Sequence, residues 1–214
     1  MRAKPSRRRF RESSIEALEG RRLLAQVASG VLDSPTAEVG QAIKLTTNYS
    51  TQPAAELEGL TIRIHFDPSK VTIAQQAGSV KLDPTAYTLP ENIRASVEST
   101  GVPTVGDDST DDFDSDASTT KYVFLAVTPF PSNLAESLAP LIDLNFSAIA
   151  AGPAKFNYSI FQPISGTPVT TSATATITEA TVAVPSLSIA ATEAVKNEGN
   201  SGNTSFTFTV TRAG

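Results

Sequence analysis

The chain has 214 residues with no cysteine, no tryptophan and one histidine; 14 prolines and 12 glycines punctuate a composition that is 40% hydrophobic. Such a length allows one large or two small domains with a real core, and the missing cysteine excludes disulfides, thiolate metal sites and a cysteine nucleophile. The formal charge of −5 divides unevenly: residues 1–22 carry eight basic against three acidic groups, the remainder nine against nineteen. The body is therefore a poor nucleic-acid binder, and with no run of 18 apolar residues no transmembrane segment is expected.

Residues 1–28 stand apart as a basic, targeting-like segment. Ser6 to Phe10 (SRRRF) is a cationic cluster, and Ile15 to Val27 (IEALEGRRLLAQV) follows it. Ile15 and Leu18 suit one helical face, but Gly20 weakens a helix by about 1 kcal/mol relative to alanine. A secretory signal requires an unbroken apolar stretch behind its basic start, and Glu16, Glu19, Arg21 and Arg22 interrupt it. The run Leu18-Glu-Gly-Arg-Arg-Leu-Leu-Ala25, after its arginine cluster, resembles the N-terminal motif of large surface and exported proteins of planctomycete-type bacteria. That resemblance implies an extracellular or cell-surface location in a bacterium. A plain basic tail without an export role is the other reading.

From about Val27 the signals are those of strands. Val39, Ile43 and Leu45, with Thr46, Thr47 and Tyr49, suggest one or two early strands. Gly59 to Phe66 (GLTIRIHF) alternates strictly: Leu60, Ile62, Ile64 and Phe66 point one way, and Thr61, Arg63 and His65 form a wet face. Asp67-Pro68 breaks the run as a turn, after which Val71 and Ile73 resume the alternation. Residues 78–105 are turn-rich, with short strands expected. Residues 106–120 (GDDSTDDFDSDASTT) read as an acidic loop with six aspartates between 107 and 116. Lys121 to Val127 (KYVFLAV) is nearly continuously apolar, as in a strand buried on both faces or central in its sheet. Leu141 to Ile149, Ala154 to Ile160 and Thr174 to Val184 complete the series. Strands at this spacing, separated by turn clusters, predict an all-β fold, an antiparallel β-sandwich.

The order of these features over residues 29–182 resembles a cohesin-like β-sandwich of jelly-roll type. It is carried by LTIRIHFDPSKVTI and by the late pair LIDLNFSAI…GPAKFNYSI. Family members bind dockerin modules or act as adhesive ectodomain units, so the resemblance implies a scaffolding role. Residues 183–214 resemble the first two strands of a Calx-β domain in three motifs: Pro185 to Ile189 (PSLSI), Glu198 to Gly202 (EGNSG) and Phe206 to Arg212 (FTFTVTR). In that pattern Phe206, Phe208 and Val210 face inward. Such a sandwich needs on the order of 100 residues, so this stretch reads either as an incomplete Calx-β hairpin or as an added edge of the first sandwich.

The chemistry in the sequence is sparse. Asp112, Asp114 and Asp116 have D-x-D-x-D spacing, which places three carboxylates within reach of one hard cation such as Ca2+. The glycine and glutamate of an EF-hand loop are missing, and a solvated acidic loop is the competing reading. Glu198 matches a glutamate that contributes to calcium coordination in some Calx-β domains. His65 has no Ser or Cys motif nearby, and no G-x-S-x-G, H-E-x-x-H or P-loop pattern occurs, so no enzyme activity is expected. The favoured reading is a non-enzymatic extracellular or cell-surface modular protein for adhesion or scaffolding, partnered by other surface proteins or by polysaccharide. The alternative is a carbohydrate-binding module, which the scattered Tyr49, Tyr87, Tyr122 and Tyr158 and the lack of tryptophan disfavour.

Overall fold

A computed structural model describes residues 25–52, 59–128, 137–161, 169–181 and 184–192, together with 195, 197, 199–203, 205 and 207–213. The chain divides into two units, residues 1–178 and 179–214. The first strand begins at Ala25, inside the segment assigned from sequence to the tail.

In the first unit the strands are β1 (Ala25–Leu32), β2 (Thr36–Glu38), β3 (Ala42–Gln52), β4 (Leu60–Phe66), β5 (Val71–Ile73), β6 (Tyr87–Thr88), β7 (Thr104–Asp107), β8 (Lys121–Val127), β9 (Ser137–Ala148), β10 (Gly152–Phe161), β11 (Val169–Thr171) and β12 (Ala173–Thr178). One sheet runs β11-β1-β3-β9-β5, with β6 also pairing β9; the other runs β2-β12-β10-β4-β8-β7. Pairing is antiparallel except where β1 meets β11 and β2 meets β12. The expected sandwich is present. Alternating apolar residues from both sheets meet in one core, where Phe146 of the first sheet packs against Phe66 and Phe156 of the second, with ring centroids 5.2 and 4.9 Å apart.

The Asp67-Pro68 turn is an arch between the sheets: β4 lies in one, and β5 pairs with β9 in the other. Asp67 closes the turn, its side chain accepting from the Ser69 N–H at 2.8 Å and its carbonyl from the N–H groups of Lys70 and Val71. Residues 78–105 hold the expected short strands, β6 and the start of β7, together with a helix that was not expected. Glu91–Thr100 form a helix, α1, that buries Ile93, Ser96 and Val97. This i, i+3, i+4 face carries only two apolar residues, too few to show against the surrounding turn signals. Strand β8 buries Val123, Leu125 and Val127 in the core and half-buries Tyr122, Phe124 and Ala126 on its other side. There α1 reaches it, the Thr100 hydroxyl donating to the Ala126 carbonyl at 2.8 Å.

In the second unit β13 (Ser186–Ala191) and β14 (Phe208–Ala213) pair antiparallel as a two-stranded sheet of their own. Ile189 sits opposite Val210. Phe208 and Val210 were expected to face inward; among the described residues they are exposed, as are Leu187 and Ile189, and a two-stranded ribbon does not bury a face by itself. Phe206 lies outside the described residues.

Candidate functional site

The outer face of the second sheet was expected to be wet. Cross-strand register places Arg63 opposite Ser159, and His65 opposite Asn157 on one side and Tyr122 on the other. The acidic loop between β7 and β8 folds back over these residues. His65 is consequently fully buried and not solvated. The cause is a polar cover, to which hydrophobic alternation is blind.

Three of the loop's carboxylates find protein partners. Asp108 is buried, and its Oδ2 lies 2.6 Å from His65 Nδ1. Asp114 Oδ2 accepts from the Thr119 hydroxyl at 2.5 Å and from Asn157 Nδ2 at 2.8 Å. Asp116 Oδ2 pairs with the Lys155 ammonium at 2.8 Å, while its Oδ1 accepts from the Ser118 N–H and hydroxyl. Lys155 and Ser118 hold the Asp116 carboxyl far below the usual range, and Asp116 in turn raises the Lys155 pKa. Lys155 is thus the built-in countercharge of the loop.

Burial pushes the His65 imidazole below its ordinary pKa; the charges of Asp114 and Asp108 oppose this in part, and Arg63 adds to it. The ring is neutral at pH 7. His65 Nε2 and the Ser159 hydroxyl are hydrogen-bonded at 2.7 Å, whereas His65 Nδ1 and Asp108 Oδ2, 2.6 Å apart, are both buried without a hydrogen-bond partner. Of the two contacts of the imidazole, only the one to Ser159 is a hydrogen bond.

Above them, the Arg63 guanidinium lies against three rings, at 3.9 Å from the centroid of Phe113, 4.2 Å from Phe161 and 4.8 Å from Tyr122. Such cation–π contacts are worth about 0.5–1 kcal/mol each at exposed sites and more where desolvated. They pin the tip of the loop, since Phe113 belongs to it. Gly106 sets the Tyr122 ring: the two are cross-strand partners, and a Cβ at 106 would collide with that ring. An open groove of about 570 Å³ runs beside the rings, lined in part by Phe113, Ser115, Ser159, Phe161 and Thr170.

The residues predicted as cation ligands are not brought together as a set. Among the described residues, the acidic and histidine side chains whose ligand atoms fall within 4.8 Å of one another are His65, Asp108 and Asp114. Asp112 is exposed, with φ +44°, and Asp116 is turned toward Lys155. Glu198 lies outside the described residues. Asp114 Oδ2 and Asp116 Oδ2 share the Asn157 Nδ2 donor, at 2.8 and 3.4 Å, while Asp112, at positive φ, stands apart from them. Asp108, Ser159, Asn157, Lys155 and Arg63 escaped the sequence reading. Their one signal is the polar parity of strands whose pairing order the sequence does not state.

No family model matches the chain, and no curated protein matches it. Solved structures similar to it include cohesins. A type II cohesin from the cellulosome of Acetivibrio cellulolyticus is 13% identical with a TM-score of 0.44, covering 71% of this chain and 95% of that one. A cohesin module of a Clostridium perfringens family 33 glycoside hydrolase is 8% identical with a TM-score of 0.46, covering 73% and 100%. A type I cohesin–dockerin complex from Clostridium thermocellum gives 9% identity and a TM-score of 0.47, covering 71% and 99%. No helix among the described residues is long and apolar enough to cross a membrane.

Proposed function

We propose that the chain is a scaffolding or adhesion module of the bacterial exterior that docks another protein on the outer face of its first sheet. The observation that carries this reading is the character of that face. Along β1, β3 and β9 it presents Ser29, Val31, Lys44, Thr46, Asn48, Asn145 and Ser147, all exposed or half-buried. Lys44 and Thr46 are both tied to Asp143 there, at 2.8 and 2.7 Å. A sheet face this rich in exposed polar side chains suits recognition of a protein surface more than enclosure of a small ligand. The second unit, with its one-sided apolar hairpin, fits the opening strands of a Calx-β-like module in the same modular design.

The test uses the full chain, immobilised and exposed to the secreted and surface fractions of its own cells. Ser147→Arg places a long cation on the proposed face without touching the core. Retention of one protein by the wild type and its loss in Ser147→Arg supports the reading. Retention of polysaccharide alone favours the carbohydrate-binding alternative, and retention indifferent to Ser147→Arg refutes the assigned face.

A further inference from the structure

Strand β4 and the loop between β7 and β8 bring His65, Asp108 and Asp114 together, with one ligand atom of each within 4.8 Å of the others. Two members of this cluster are buried and unanswered. The side chains of His65 and Asp108 have no exposed surface, and Nδ1 of the one and Oδ2 of the other lie 2.6 Å apart without a hydrogen-bond partner. At such a separation a hydrogen bond fails on direction, not on reach. Arg63 does not answer Asp108 Oδ2 either, since no donor meets that oxygen. A buried carboxylate beside a neutral ring is costly unless it is paired or bound to a metal.

The bonds around the cluster turn these atoms toward a cation. With its ring proton on Nε2, donated to the Ser159 oxygen at 2.7 Å, His65 presents a lone pair at Nδ1. Metal-bound imidazoles are oriented in this way, through a hydrogen bond from the second ring nitrogen. Asp108 Oδ1 accepts from the Phe113 N–H at 3.4 Å, which leaves Oδ2 to the cluster. Asp114 is held by the Thr119 hydroxyl and the Asn157 amide. Two lone-pair atoms 2.6 Å apart repel each other, and a positive ion between them reverses that. With metal–ligand bonds of about 2.1 Å, a tetrahedral ion spreads the pair to roughly 3.4 Å, a shift of under about 1 Å. Asp114 also borders the open groove of about 570 Å³, which gives the ion a way in and a water its place as fourth ligand.

We infer that His65 Nδ1, Asp108 Oδ2 and a carboxylate oxygen of Asp114 bind one divalent transition-metal ion. One imidazole nitrogen with two carboxylates suits Zn2+, whereas Ca2+ and Mg2+ take oxygen ligands. The ion ties both ends of the segment from Asp108 to Asp114 to strand β4 and supplies the countercharge that Asp108 lacks. The site lies on the sheet opposite the docking face and does not depend on it.

The experiment strips the full chain with a chelator and titrates it with ZnCl2, followed by calorimetry, by melting temperature and by the ring nitrogen NMR signals of the only histidine. The expected result is one Zn2+ bound through His65, a saturating rise in melting temperature, and a shift of the Nδ1 resonance while Nε2 stays protonated. Ca2+ at the same concentrations should produce neither the rise nor the shift. His65→Gln and Asp108→Asn, shown to be folded by circular dichroism, should each weaken Zn2+ binding at least 10-fold, since even outer-shell changes cost 10–100-fold. An Nδ1 resonance that Zn2+ leaves unmoved in the wild type overturns the assignment whether or not the variants fold. Binding undiminished in folded His65→Gln, or Ca2+ acting as strongly as Zn2+, overturns it as well.

Discussion

His65 is the only histidine in the chain, which makes its titration separable from everything else near neutral pH. Burial lowers its pKa in the folded protein, whereas in the unfolded chain it returns to about 6.5. At pH values between the two, the unfolded state binds the extra proton and the folded state does not, so stability rises with pH. The contribution is complete above about pH 6.5 and is lost as the pH falls toward the depressed folded value. One proton corresponds to a slope of at most about 1.4 kcal/mol per pH unit. Asp116 acts in a separate window: its folded pKa is depressed below the ordinary carboxylate value, so its contribution is present above about pH 4 and lost below it. Urea unfolding at half-unit steps from pH 7.5 to 5.0, followed by far-UV circular dichroism, reads the slope, and the imidazole NMR signal reads the folded pKa directly. His65→Gln should flatten the curve between pH 6.5 and 5. A flat wild-type curve, a slope that survives in His65→Gln, or an imidazole titrating at or above pH 6.5 would refute the buried, neutral assignment.

Three further outcomes follow from the packing. Phe146→Ala removes the ring that joins the two sheets and should lower unfolding free energy by about 3–5 kcal/mol, as measured by urea denaturation; Phe146→Leu should cost less. Gly106→Ala drives a methyl into the Tyr122 ring and should destabilise by about 1–3 kcal/mol. Combining it with Tyr122→Leu should cost less than the sum of the two single changes, a coupling that a double-mutant cycle measures. Calcium titration followed by melting temperature tests the ion expectation for Asp112, Asp114 and Asp116. With Lys155 and Asn157 already on the carboxylates, the expected shift is negligible, and a concentration-dependent rise would show that the ion displaces them.

The interior of the sandwich was readable because burial leaves a period-two imprint. Leu60, Ile62, Ile64 and Phe66 are core residues as their alternation implied, as are Ile142, Leu144, Phe146 and Ala148. What covers the other side of a strand leaves no such imprint when the cover is polar. His65 and Ser159 are 94 positions apart and meet because β4 and β10 are neighbours, an adjacency that the residues of neither strand encode. Asp108 reaches them only through a loop whose composition reads as solvent-loving. Of the three aspartates chosen by spacing, Asp114 and Asp116 meet at Asn157, and the turn at Asp112 carries that residue away. Helix α1 was missed for a related reason: Ile93 and Val97 bury one turn against the sandwich, and two residues make too faint a stripe.

The parallel pairing of β1 with β11 and of β2 with β12 has a mechanical consequence. Each pair joins a strand from the beginning of the sandwich to one from its end, and each pair closes a border of a different sheet. In a parallel pair the incoming end of one strand and the outgoing end of the other lie at opposite extremities. Tension applied at Ala25 and Thr178 therefore slides the partners along one another and strains their bonds simultaneously, instead of peeling them apart one by one. A unit strung between neighbours in a longer fibre would resist stretching through these two seams.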